Sequence, residues 1–487
     1  MNRARWVGPG RLVLTGAVAA GLVALATTSP VTGAAAPGGP VAGEPTLAPI
    51  TSADLSCPGP ELSGVPGVED LQVPALVGAA AAPTQVLGPT RPSGDGSLSI
   101  RTGGTGSTAL TERGTTTTAP TTPGRSSDVR ATGSMAPGIA ASQEWTVARA
   151  EVRGLATVPC AEPGSDLWLL AGGGAPGRQE RLVLSNPGAN EVTVDLTALG
   201  RRGVVPSPTG AIVVPAGGRA ALLVDAITGA EESPAVRVRV NGGTVRAVMS
   251  DIWLDGSVPA GAETTVPTAA PSRRQVIPAA RVGTAGSIRI AVPDRQQAVV
   301  SARVVGTDGP TPLRGGVVRV GARSTGELAL TGLKPGTYAV ELTSDVPIVA
   351  SLWSTQRTAD GPGDFMWAPS TPASSGLLGA AYPASKDGTT RVLGVVATGG
   401  PAKVSVTWRS VGAKDWTTRE VDLAQDRAMT LDLGSVESVW VRRTSGTGEV
   451  RSAVASSGGQ PGPLLVSGAP LVESTVTSAV SRAHPVP

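Results

Sequence analysis

Histidine occurs once in 487 residues, at His484 in the C-terminal tail. That scarcity excludes a Ser-His-Asp triad, a histidine metal cluster and imidazole acid–base chemistry together. Aromatic side chains are nearly as rare: nine Trp, two Tyr and one Phe make up 2 % of the chain. Cores must therefore be built mainly from Val, Leu, Ile and Ala. Neither a Gly-x-Ser-x-Gly elbow nor a Ser-x-x-Lys motif is present. Acidic residues are missing before Glu44, whereas Arg3, Arg5 and Arg11 precede it, so the net charge of +3 arises at the N-terminus. The rest is neutral and lacks the broad positive field that draws proteins to nucleic acid or anionic lipid.

What is abundant is glycine, with 65 residues, and proline, with 43. Both break helices, at roughly 1–3 kcal/mol each, and both build turns. Between them run short β-branched segments such as Val192-Thr-Val-Asp-Leu196, Val236-Arg-Val-Arg-Val240 and Val245-Arg-Ala-Val248. Period-two alternation with one polar face predicts antiparallel sheets packed on one side. The pattern recurs: Val238-Arg-Val240 lies ahead of Trp253 as Tyr338-Ala-Val340 lies ahead of Trp353, an offset of 100. A third copy, Val439-Trp-Val441, lacks the closing Trp. Proline-centred steps at Val158-Pro159-Cys160, Ile277-Pro278-Ala279 and Tyr382-Pro383-Ala384 are read as opening each copy. A period of about 100 residues suits a β-sandwich, whereas propeller blades repeat at roughly 40–50. The expected fold is all-β, with tandem antiparallel β-sandwich (Ig-like) repeats at residues 159–277, 278–382 and 383–471, and a tail at 472–487. Trp253 and Trp353 are expected to plug equivalent cores.

Residues 12–26 are apolar, follow three arginines and lead to Ala34-Ala35-Ala36. Residues 1–36 therefore read as a signal peptide or a single N-terminal membrane anchor helix, which places the remainder outside the cytoplasm. In an oxidising compartment the only two cysteines, Cys57 and Cys160, are expected to pair. The pair would fasten a Pro/Gly/Ala-rich linker or arm, residues 37–97, to the first folded domain. Residues 98–158 form a Thr-rich segment leading into that domain, read as a flexible O-glycosylated stretch or as Thr-rich edge strands.

Few residues suggest chemistry. The Gly172-Gly-Gly-Ala-Pro-Gly177 run fits G-x-G-x-x-G, but a strand-like segment follows where a dinucleotide site needs a helix, so it reads as a hairpin loop. Asp251 and Asp255 flank Trp253, and Asp360 and Asp364 bracket Gly361-Pro-Gly363. Asp251 and Asp255 read as solvated strand-end carboxylates rather than a glycosidase pair beside Trp253, and neither pair fits an EF-hand loop. Trp dominates the aromatics, so Trp145, Trp367, Trp408 and Trp416 are the candidates for stacking on sugar rings. No catalytic residue, metal site or cofactor is expected.

The N-terminal signal, Cys57-Pro58-Gly59, Val158-Pro159-Cys160, Leu167-Trp168, the triple glycine and Asn186-Pro187-Gly188 together resemble an actinobacterial family of exported proteins of unknown function, of the "large exoprotein" type. The resemblance implies an envelope location and brings no catalytic residues. The expected role is a non-catalytic structural or interaction protein of the cell envelope, secreted or membrane-anchored through its N-terminal segment alone. Its partners would be an envelope protein or polysaccharide, not nucleic acid. The alternative is extracellular polysaccharide binding through exposed Trp.

Overall fold

The computed structural model describes residues 46–62, 73–103, 105–106, 109–206, 210–357, 360–384, 388–458 and 464–480. The segment read as signal or anchor, and His484, lie outside them. Ala48–Ser478 forms one compact unit. The chain is nearly all β, 64 % strand and 2 % helical, with antiparallel sheets. Among the described residues the only helical turns are Thr84–Leu87 and Asp225–Thr228, and no helix is long and apolar enough to cross a membrane.

Residues 166–265 show the building plan. Asp166–Leu169, Ala235–Asn241, Val192–Gly200 and Gly203–Val205 form an outer sheet in that order, while Arg219–Leu223, Arg178–Ser185, Arg246–Asp255 and Val258–Thr265 form an inner one. Val194, Val236 and Val238 of the outer sheet meet Leu182, Leu184 and Met249 of the inner in one buried core. With Ile212–Val214, which also pairs with Val192–Gly200, counted together with Gly203–Val205 as the fourth position, the sheets run 1-6-3-4 and 5-2-7-8 in sequence order. The same two orders recur over residues 52–160, 272–369 and 377–473, each with its own core. In the third of these four lobes the single strand Gly336–Arg357 supplies both the sixth and seventh positions.

Several expectations are corrected. The 1-6-3-4/5-2-7-8 partition is not the ABED/CFG partition of an immunoglobulin domain, so the sheets are sandwich-like without being Ig-like. The stretch read as linker and arm carries Ser52–Cys57, Ala75–Ala81 and the start of Gly96–Thr102, all strands of a further lobe ahead of the expected three. The Thr-rich run includes Thr116–Pro120, an edge strand of that lobe. Cys57 and Cys160 are bonded, as expected, but the bond joins the first and last strands of one lobe rather than tethering an arm. The proline steps are not equivalent either. Pro159 is the penultimate residue of the eighth strand of the first lobe, while Pro278 sits inside the first strand of the third, where the register shifts.

The four eighth strands meet. Arg153–Cys160 packs against Val258–Thr265, that strand against Gly363–Pro369, that one against Leu465–Pro470, and the last returns to the first. The ring closes around an axis on which side chains must be small. At Gly154 a Cβ would lie 2.2 Å from the Ala262 carbonyl oxygen, and at Gly261 it would lie 2.7 Å from the Phe365 nitrogen. Apart from Val258, every residue of the four axial strands is buried.

Candidate functional site

An axial strand pairs with a neighbour on one edge only, so its other edge presents N–H groups to an interior without water. Each such donor needs an acceptor. Asp364 supplies it for all four lobes. Its Oδ1 accepts from the amides of Ala262 (3.2 Å) and Phe365 (2.9 Å), and its Oδ2 from Val466 (2.8 Å). The amide of Leu155 in the first lobe also bonds to this carboxylate. Glu263 serves the same junction: Oε1 accepts from the Thr264 amide at 2.8 Å and the Ser467 hydroxyl at 3.1 Å. Ser467 Oγ in turn accepts from the Thr157 amide at 2.9 Å.

Burial pushes the pKa of both carboxyls well above the usual carboxylate range, and backbone amides oppose it at both, those of Thr264 and Gly468 at Glu263 among them. Glu263 Oε2 has no partner among the described residues. Repulsion from Asp364 raises Glu263 further, while four amides surround Asp364, so Asp364 holds the charge better and Glu263 is the partner that keeps the proton.

A second interior network joins the second and third lobes. Arg178 forms a fork with Asp251, Nε to Oδ1 at 2.8 Å and Nη2 to Oδ2 at 2.6 Å. Trp367 Nε1 donates to the same Oδ2 at 2.8 Å, and the Gly172 amide at 3.2 Å. The scarce aromatics gather here, with the Arg178 guanidinium 5.7 Å from the Trp253 ring centre, 5.2 Å from Phe365 and 6.0 Å from Trp367. Arg289 lies 4.8 Å over Trp367, pairs with Glu327 at 2.9 Å and donates to the Ala171 carbonyl. A third network joins the first and fourth lobes, where Arg391 reaches Glu144 at 2.6 Å and lies 3.7 Å over the Tyr382 ring.

Glu180, whose Oε1 accepts from the Gly173 amide at 2.7 Å, lies beside the Arg178–Asp251 pair. Burial, then repulsion from Asp251, pushes its pKa from 4.5 up to about 8. The folded state therefore binds a proton that the unfolded chain releases, and stability falls as pH rises through that interval, levelling above it. Glu263 and Asp364 act in the same direction. Urea unfolding followed from pH 5 to pH 9 is expected to show this decline, and Glu180→Gln to flatten it. A Glu180→Gln slope equal to the wild-type slope would contradict this reading.

Of the sugar-stacking candidates, Trp145 is 2 % exposed and Trp367 1 %, so neither ring offers a face to a ligand; Trp367 lies on an axial strand, and Trp145 packs against Val183, Val248 and Ile252 of the second lobe. Trp408 and Trp416 are half-buried, Trp416 with Arg409 at 5.4 Å from its ring. Trp253 and Trp353 occupy corresponding seventh strands but do not plug equivalent cores, since both are half-buried against the core of the second lobe. Asp251 is not a solvated strand-end carboxylate, whereas Asp255 is exposed and pairs with Arg357 at 2.7 Å. Asp360 is exposed and Asp364 is buried. Residues 172–177 form a loop entering the strand Arg178–Ser185, as a hairpin reading requires. Among the described residues no group of three or more His, Cys, Asp or Glu side chains is placed to hold a metal ion. Glu263, Arg178 and the Glu144–Arg391 pair escaped the sequence reading; a charge inside a run of small residues, as in Pro-Ala-Gly-Ala-Glu263, was the available signal.

Residues 113–434 match the profile of a family of unknown function, DUF5719. No curated protein matches the chain.

Proposed function

The chain belongs to the family of unknown function DUF5719, and from this premise we propose that it is a non-catalytic structural or interaction protein of the cell envelope. The observation that carries the reading is Asp364, a buried carboxylate bonded to an amide from each of the four lobes. The most unusual charged group in the molecule is thus engaged in joining lobes and is closed to substrate. The shared strand order supports reading the lobes as copies of one ancestral sandwich. The bonded Cys57–Cys160 pair and the Arg3/Arg5/Arg11 start before an apolar run support a place outside the cytoplasm, in keeping with the resemblance to actinobacterial exported proteins.

Fractionation of cells carrying the tagged full-length chain tests this. The chain is expected in the membrane or medium with Cys57 and Cys160 resistant to thiol labelling; a mainly cytosolic, reduced pool would overturn it. Crosslinking in the same cells is expected to capture an envelope protein. The polysaccharide-binding alternative rests now on Trp408 and Trp416 alone. Retention on cell-wall polysaccharide that is lost in Trp408→Ala or Trp416→Ala would favour it.

A further inference from the structure

The axial strands end together, and their ends enclose a cavity of about 430 Å³, within the roughly 300–1,000 Å³ range of small-molecule sites. Its walls are mostly apolar and come from several lobes, with Pro159, Val266, Pro267, Pro470 and Leu471 among the apolar residues. The polar wall residues are Glu162, Arg246, Thr268, Ser374, Glu473 and Thr475, and Arg246 is the one cation among them. Arg246 lines the cavity and is 5 % exposed. Its Nη2 donates to the Pro159 carbonyl at 2.9 Å, while its Nε has no partner among the described residues. No carboxylate among the described residues forms an ion pair with it, unlike the interior arginines 178, 289 and 391. Burial lowers its pKa to about 10, which still leaves it protonated at neutral pH. A buried guanidinium without a counter-ion is unfavourable by several kcal/mol, and an anion entering the cavity would relieve that.

We propose that the axial cavity binds a small monocarboxylate with an apolar body, its carboxylate paired with Arg246. The guanidinium fork matches a planar carboxylate, and the Pro, Val and Leu walls match a hydrocarbon. A single unpaired cation suits a single negative charge. At the lining's exposed positions Glu162 and Glu473 disfavour a second one, which argues against a phosphate dianion.

Hexanoate, hexanamide and inorganic phosphate, titrated into the oxidised full-length protein by calorimetry and thermal melting, test the assignment. Hexanoate is expected to bind saturably and raise Tm, with hexanamide at least about tenfold weaker and phosphate neither binding nor competing. Arg246→Met replaces the lone charge with an apolar side chain, so it should fold, keep or raise the ligand-free Tm, and lose hexanoate binding by about tenfold or more. Should Arg246→Met fail to fold, Val266→Trp, which fills the cavity from another wall, must block hexanoate. Equal binding of hexanoate and hexanamide, competition by phosphate, unchanged binding in the folded variant, or no saturable hexanoate binding up to about 10 mM would each overturn the proposal.

Discussion

Asp364→Asn is expected to lower the free energy of unfolding by about 2–5 kcal/mol, read as a fall in the urea midpoint. The carboxylate accepts from four backbone donors. An asparagine keeps one acceptor oxygen and turns an NH₂ group towards amides that are themselves donors. Each buried donor left without an acceptor costs roughly 1–3 kcal/mol, and at least one is orphaned while another faces a repelling N–H. Two comparisons separate the hub from a general effect of losing charge. Asp360→Asn, four positions away and exposed, should stay within about 0.5 kcal/mol of wild type. Glu263→Gln should be milder than Asp364→Asn, because Glu263 is the partner that keeps its proton. Equal losses at Asp360 and Asp364 would refute the hub.

The sequence shows some of this plainly and hides the rest for physical reasons. Val236, Val238 and Val240 alternate with exposed or half-buried partners because that strand faces a core on one side only, and period-two patterning survives in such strands. The first lobe escapes because Ala75–Ala81 reads Ala-Leu-Val-Gly-Ala-Ala-Ala and is buried on nearly every residue. A strand covered on both faces by close neighbours carries small side chains and no alternation. The axial strands are the extreme case, since their burial depends on four lobes about 100 residues apart closing a ring. Nothing local to Trp367 reports that closure, so its exposure was not readable. Asp251 and Asp255 share a face in an ideal strand, yet the register shifts between Trp253 and Leu254, and only Asp251 stays inside. The 100-residue offset of Trp253 and Trp353 did report the repeat, because both lie on seventh strands. What it could not report was that the two rings converge on one junction beside Phe365 and Arg178.

That junction should respond strongly to loss of its cation. Arg178→Met is expected to destabilise the protein by about 3–5 kcal/mol, the usual range when one partner of a buried ion pair is removed. Asp251 is fully buried, and without Arg178 it keeps only the Trp367 indole and the Gly172 amide as donors. The loss of charge above Trp253, Phe365 and Trp367 removes cation–π attraction as well, about 0.5–2 kcal/mol when desolvated. Removing both charges is a different experiment. In Arg178→Met/Asp251→Leu no uncompensated charge remains, and apolar replacement of a whole buried pair is often neutral. The remaining cost is then two donors without an acceptor, Trp367 Nε1 and the Gly172 amide, at roughly 1–3 kcal/mol each. The double variant is therefore expected to lose clearly less than the sum of the two single variants, so that the double-mutant cycle gives a favourable coupling between the two residues. Additive losses would mean that the Arg178–Asp251 fork contributes nothing specific to joining the second and third lobes.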